Sequence, residues 1–75
     1  MKMRVIVTEH AKKRLREERQ EGITIADVAR VAKQIPGNIP IATRFRSFQA
    51  SSRRIFDIVA KDVAIGRLVI TVIGK

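Results

Sequence analysis

Residues 23–46, which read ITIADVARVAKQIPGNIPIATRFR, decide the fold. The first half begins with a helix start signal, because Thr24 is a favourable N-cap residue and Asp27, three positions later, completes a capping-box-like pair. Apolar residues then recur at spacings of three and four, which places Ile25, Val28, Ala32 and Ile35 on one helix face. The Pro36-Gly37-Asn38 sequence ends this predicted helix.

In the second half the apolar period changes to two, which is typical of a strand. Ile41, Thr43 and Phe45 alternate with Ala42, Arg44 and Arg46. A turn at residues 50–52 and a second turn at 62–66 separate two further predicted strands. The last of these strands, Arg67 to Ile73, is apolar on both faces, as expected of a central, covered strand.

The N-terminal third adds one strand and one helix. Residues 2–7 form a predicted short strand, and Thr8 is the N-cap of a helix that should run to about Gln20, with Gly22 behind it. The element order is therefore β-α-α-β-β-β. This order indicates an α+β fold with two helices packed on one face of a small, mostly antiparallel sheet. Residues 1–75 make a single domain.

Composition excludes several classes of protein. The chain has no cysteine, which excludes a disulfide scaffold, a thiolate zinc site and a cysteine nucleophile. One histidine and scattered carboxylates give no metal-ligand spacing, and we expect neither a metal nor a cofactor. The longest apolar stretch, Leu68 to Ile73, is far shorter than the ~20 residues of a membrane helix. We therefore expect a soluble cytoplasmic protein without a membrane partner.

Charge is the most informative bulk property. Sixteen Lys and Arg residues against seven Asp and Glu give a net charge of +9. Between Val28 and Phe56 there is no acidic residue, whereas six basic residues occur: Arg30, Lys33, Arg44, Arg46, Arg53 and Arg54. A phosphate backbone is the usual partner of such a surface, which predicts RNA, or DNA, bound through phosphate contacts. Two alternatives remain open, a solvated basic surface that maintains solubility and an acidic protein partner.

Four arginines are the predicted phosphate site. Arg44 and Arg46 project from the same face of their strand, and Arg53 and Arg54 follow across a short turn, so the four should gather at one end of the sheet. The alternative is a charged edge that protects the sheet from aggregation. Phe48 has the parity of the arginines and is a candidate for stacking on bases. The alternative is that a bulge in the strand turns it inward.

Two other residues, Phe45 and Asp57, have less specific predicted roles. Phe45 shares its parity with Ile41 and is expected in the core. Asp57 is predicted to form a salt bridge with a neighbouring arginine.

His10 and Arg14 are the candidate catalytic residues, since one helical turn separates them on a shared face. Together they offer a proton-transfer group near neutral pH and a fixed cation for phosphate, which are functions that RNA cleavage requires. The alternative for His10 is a packing role at the strand–helix junction. No second proton-transfer group is obvious from the sequence.

The chain also resembles a known family over nearly its whole length, from its N-terminal motifs to its closing strand, residues 68–72 (Leu-Val-Ile-Thr-Val). Its motifs are residues 8–11 (Thr-Glu-His-Ala), Arg14-Leu15, residues 17–19 (Glu-Glu-Arg) and residues 22–24 (Gly-Ile-Thr). They resemble a family of small uncharacterised bacterial and phage proteins whose first helix opens T-x-H-A-x-x-R-[ML] and ends E-R-G-I-[ST]. The spacer Arg19-Gln20-Glu21 departs from that pattern and displaces the arginine that adjoins the family's glycine.

The element order is similar to that of the RelE/ParE-like toxin superfamily, including the BrnT-type toxins. Members of that superfamily are ribonucleases or gyrase poisons, usually neutralised by an antitoxin. The resemblance implies a RelE-like basic domain that binds RNA, with cleavage of that RNA and an acidic antitoxin as further expectations. Whether the chain is an enzyme stays open. The alternatives are a non-catalytic nucleic-acid-binding regulator and a basic protein-interaction domain with an acidic partner.

Overall fold

The computed structural model of the chain describes residues 4–75, so the first residues of the predicted N-terminal strand lie outside the described part. The elements are β1 (Val5–Val7), α1 (Glu9–Leu15), a 3₁₀ helix (Glu18–Gln20), α2 (Ile25–Gln34), β2 (Thr43–Gln49), β3 (Ile55–Val63) and β4 (Gly66–Gly74). The predicted α+β class and the order β-α-α-β-β-β are confirmed, with the 3₁₀ helix as an addition. Within residues 4–75, no helix is long and apolar enough to cross a membrane.

The four strands form one mixed sheet in the order β1-β4-β3-β2. β1 runs parallel to β4, and the other two pairs are antiparallel. The most apolar strand, β4, therefore lies in the interior of the sheet, as predicted. α1 and α2 pack on one face, where their buried residues join those of β3 and β4 in a single core: Ala11, Val28, Val31, Ala32, Phe56, Ile58, Ala60, Val69 and Val72. We call the opposite face, which neither α1 nor α2 covers, the outer face.

The start of α2 forms as the sequence predicts. The Asp27 backbone N–H donates to the Thr24 hydroxyl (3.1 Å), and the Thr24 N–H donates to the Asp27 carboxylate (3.0 Å), which is a complete capping box. The predicted apolar stripe is wrong in one residue. Ile25 is 49% exposed, because it is the first helical residue and lies at the edge of the apolar face, whereas Val31 is buried near the centre of that face.

The first helix is shorter than predicted, since α1 ends at Leu15 rather than near Gln20. The backbone turns extended at Glu17 (φ −77°, ψ 150°) before the 3₁₀ helix begins. This turn brings the Gln20 side chain into the interior, where its Oε1 accepts a hydrogen bond from the Gly74 N–H (2.6 Å). A buried backbone N–H requires a partner, and Gln20 supplies one for the last residue of β4.

A buried ion pair connects the end of α2 to the sheet. The Arg67 guanidinium, 1% exposed, donates to the carbonyls of Ala32 (2.8 Å), Ile35 (2.7 Å) and Gly37 (2.8 Å), and to Asp62 (2.7 Å). It thereby satisfies carbonyl groups that the end of a helix leaves without partners. The hydrogen bond from Arg67 lowers the pKa of Asp62 and outweighs burial, which acts in the opposite direction.

Candidate nucleic-acid interface

A β-bulge in β2 determines which of its side chains reach the outer face. The register between β2 and β3 shifts between Phe45 and Phe48, and Ser47 adopts a left-handed conformation (φ 67°) within the shift. Arg44 lies opposite Val59 and both occupy the outer face, whereas Phe45 packs against the core, as predicted. Beyond the bulge, odd- and even-numbered residues of β2 exchange faces.

Phe48 is therefore turned inward. Its ring centroid lies 6.1 Å from that of Phe56, and the side chain packs against the core. The expectation that Phe48 shares the face of the arginines is wrong, because the extra residue of the bulge changes the alternation of side chains. A role for Phe48 in base stacking consequently has no support from its position.

The centre of the candidate site is Asp57, whose side chain lies on the outer face and is nevertheless fully buried. Its carboxylate accepts hydrogen bonds from Arg44 Nε (2.9 Å) and from the Ser47 backbone N–H (2.9 Å). It also forms ion pairs with Arg44 Nη2 (2.8 Å) and Lys75 Nζ (3.2 Å). Two cations and one backbone N–H thus contact the buried carboxylate of Asp57.

These contacts keep the carboxylate ionised. Burial alone would raise the pKa of Asp57, but the hydrogen bonds from Ser47, Arg44 and Lys75 outweigh it and hold the pKa below its usual range. The two cations stay accessible, with side chains 40% (Arg44) and 39% (Lys75) exposed. Arg44 uses Nε and Nη2 on the carboxylate, and Lys75 uses one of its three donors, so both retain donors for a ligand.

Further positive charge flanks this centre. Arg46 is exposed, and by strand alternation it lies on the same face as Arg44. Lys61 is half-buried and lies opposite Leu68 in the register of β3 and β4. Neither side chain contacts a carboxylate within the described part of the chain. We call Asp57 with Arg44, Arg46, Lys61 and Lys75 the outer-face basic site; it has four cations and one buried carboxylate.

The other two predicted phosphate ligands, Arg53 and Arg54, make no contact with Asp57. The Arg54 guanidinium donates to the backbone carbonyls of Arg19 (2.7 Å), Glu21 (2.8 Å) and Lys75 (3.2 Å), and so connects the 3₁₀ helix to the C-terminal end of the sheet. Arg53 is exposed in the β2–β3 turn with a left-handed backbone (φ 76°). Arg54 thus uses its donors on backbone carbonyls, and the gathering of all four arginines in one phosphate site stays a prediction.

The candidate catalytic pair lies away from the outer-face basic site. His10 is exposed on α1, and Arg14 pairs with Glu17 (3.3 Å), while its Nε is buried without a hydrogen-bond partner in residues 4–75. α1 packs on the core face of the sheet, whereas Arg44 and Lys75 hold Asp57 on the outer face. The sheet does not bring His10 to the basic site.

Sequence reasoning missed two members of this site, Lys61 and Lys75. The available signal was Asp57 itself, because an acid between Phe56 and Ile58 in a predicted strand requires cationic partners if it is buried. The identity of those partners depends on the strand register, and a sequence pattern alone does not fix it.

No group of three or more His, Cys, Asp or Glu residues in the described part of the chain is arranged to hold a metal ion. No protein-family model, curated protein sequence or solved structure gives a significant match to the chain.

Proposed function

We propose that the protein binds nucleic acid, RNA in particular, through phosphate contacts on the outer face of its sheet. The single observation that supports this proposal most strongly is the buried Asp57, which positions Arg44 and Lys75 while leaving both about two-fifths exposed. Ordering two long cationic side chains and burying a carboxylate both cost free energy. A surface kept basic for solubility alone requires neither, whereas a pre-organised phosphate site benefits from both.

The remaining acids do not neutralise this face. Asp27 and Asp62 are occupied in the core-side contacts of α2 and Arg67. The glutamates Glu9, Glu17, Glu18 and Glu21 belong to α1, to the 3₁₀ helix or to their flanks. The net charge of +9 is thus distributed so that the outer face remains positive, which favours a phosphodiester backbone.

The proposal places binding, and not cleavage, on the outer face. Asp57 is ion-paired and its pKa is lowered, so it accepts hydrogen bonds at neutral pH and has no proton to donate. Cleavage through His10 and Arg14 stays a separate hypothesis, as does the RelE-like relationship implied by the element order. An acidic partner such as an antitoxin would compete with nucleic acid for the same cations.

A pair of matched double variants tests the proposal. Arg46→Gln with Lys61→Gln removes two charges from the outer face without breaking an ion pair in the described part of the chain. Lys13→Gln with Arg16→Gln removes the same charge from α1 and the turn that follows it, on the core side of the sheet. Binding of a short labelled oligouridylate is measured by fluorescence anisotropy at several salt concentrations.

About four phosphate contacts on a single strand give a slope near −3 for log affinity against log salt. The outer-face variant should reduce this slope by about one to one and a half, and the helix-side variant should change it much less. Equal effects of the two variants would mean that net charge alone drives binding and that the outer face is not the site.

A further inference from the structure

The outer face has two chemically different halves, and the register of the sheet places them side by side. Leu68 of β4 lies opposite Ile6 of β1 on one side and Lys61 of β3 on the other. Ile73 of β4 lies directly opposite Asp57 of β3, the centre of the outer-face basic site. On this face Arg44, Arg46 and Lys61 belong to β2 and β3, and Ile6, Leu68 and Ile73 belong to β1 and β4. Val59 and Thr71 form a pair between them, and Lys75 directly follows β4.

We call Ile6, Leu68 and Ile73 the aliphatic strip. These side chains are half-buried, although neither helix packs on their face and none of them belongs to the core. Neighbouring strands lie about 5 Å apart, so the strip begins directly beside the cations. A ligand that reaches Arg44 and Lys75 with a phosphate is therefore within reach of the strip with an attached apolar group.

We propose, on the basis of the proposed phosphate-binding function, that this face binds single-stranded nucleic acid with its bases against the aliphatic strip. Unpaired bases have free apolar faces, whereas a duplex keeps those faces stacked and presents mainly phosphate and sugar. Charge complementarity selects a polyanion over a second copy of this basic chain. The adjoining strip selects a polyanion that has apolar groups beside each charge.

The contact to the bases is aliphatic. Phe45, Phe48 and Phe56 all pack on the core side, which leaves no aromatic ring on the outer face of the described residues. Aliphatic side chains contact any base face by van der Waals packing and make no hydrogen bonds to base edges. The bound strand is consequently recognised as single-stranded, with little preference for its sequence.

Three probes of equal length test this inference on the wild-type protein: an oligouridylate, the same phosphodiester chain without bases, and an RNA duplex. The oligouridylate should bind about tenfold more tightly than the abasic chain, since burial of apolar surface between the bases and the strip adds to the phosphate contacts. It should also bind more tightly than the duplex. Equal affinity for the oligouridylate and the abasic chain would overturn the base contact while leaving phosphate binding intact.

Variants then locate the contact. Leu68→Gln with Ile73→Gln should lower the affinity for the oligouridylate to that for the abasic chain, and leave the abasic affinity unchanged. Ile25→Gln, a substitution of the same kind at an exposed position of α2, is the control and should alter neither affinity.

Two other results would overturn the inference. A double variant that keeps the full difference between the oligouridylate and the abasic chain would show that the bases lie elsewhere. Concentration-dependent dimerisation of the wild type that is lost in the double variant would assign the strip to a second copy. If neither the oligouridylate nor the abasic chain binds at low salt, phosphate binding itself fails, and this outcome is distinct from failure of the base contact.

Discussion

Replacing Asp57 with asparagine tests the centre of the outer-face basic site, because asparagine keeps the shape of the side chain and removes its charge. In the folded protein the carboxylate accepts from the Ser47 N–H with one oxygen and from Arg44 with the other. Asparagine retains one carbonyl oxygen, so its NH₂ group must face either Arg44 or the side occupied by Ser47 and Lys75. A donor then faces a donor in a fully buried position.

The cost of this change follows from those contacts. Hydrogen bonds to charged groups stabilise a fold by about 1.5–3 kcal/mol, and breaking a fully buried ion pair costs about 3–5 kcal/mol. Arg44 and Lys75 are about two-fifths exposed and can regain water, which places the loss nearer the lower figure. We expect the free energy of unfolding to decrease by about 2–3 kcal/mol. For a domain of this size that corresponds to a decrease in Tm of roughly 8–24 °C.

Thermal unfolding followed by circular dichroism at pH 7 measures this decrease directly. Arg46→Gln is the matched control, since Arg46 is exposed on the same face without a carboxylate partner in residues 4–75, and its Tm should stay within about 2 °C of the wild type. A Tm of Asp57→Asn within the same margin would refute the assignment of Asp57 as the residue that holds the two cations in place.

Three further predictions concern other parts of the fold. Arg54→Ala should lower the free energy of unfolding by about 2 kcal/mol, because three carbonyls lose their donor. Urea denaturation measures this, and Arg53→Ala is the control that should change the free energy little. Similar values for the two variants would contradict the role given to Arg54. Asp27, Asp57 and Asp62 have lowered pKa values, so they bind protons less tightly in the folded than in the unfolded chain. Their stabilisation should therefore be complete above about pH 5 and decrease as the pH falls through the unfolded and then the folded pKa values. A Tm series from pH 7 to pH 2 checks this, and a Tm independent of pH would count against these contacts. His10→Ala should leave both Tm and oligouridylate affinity unchanged, since His10 is exposed and lies off the outer face. If the wild type cleaves RNA and this variant does not, catalysis would be assigned to α1.

The elements that the sequence predicted correctly are those specified by local signals. The capping box of Thr24 and Asp27 depends on residues three positions apart, and the central position of β4 follows from its continuous apolar run. The C-terminal end of α1 depends on a distant contact instead. Gln20 is turned inward to accept from Gly74, fifty-four residues later, and no local pattern contains that requirement.

The candidate site was predictable only in part for the same reason. Strand alternation predicts Arg44 and Arg46 on one face, and the register places Arg44 there, opposite Val59. A single inserted residue at Ser47 then reverses the parity of Phe48, and bulges have no reliable signature in one sequence. Lys75 and Arg54 acquire their roles from tertiary contacts across the sheet, which composition and periodicity do not encode.

The affinity of Asp57→Asn for a short oligouridylate, compared with that of the wild type at one salt concentration and below both melting temperatures, tests the central claim most directly. The substitution removes one of seven acids and raises the net charge from +9 to +10. If the outer face binds phosphates through cations that Asp57 positions, the variant binds several-fold more weakly despite its greater charge. If the variant binds as tightly as the wild type or more tightly, diffuse positive charge accounts for binding and the pre-organised site does not exist.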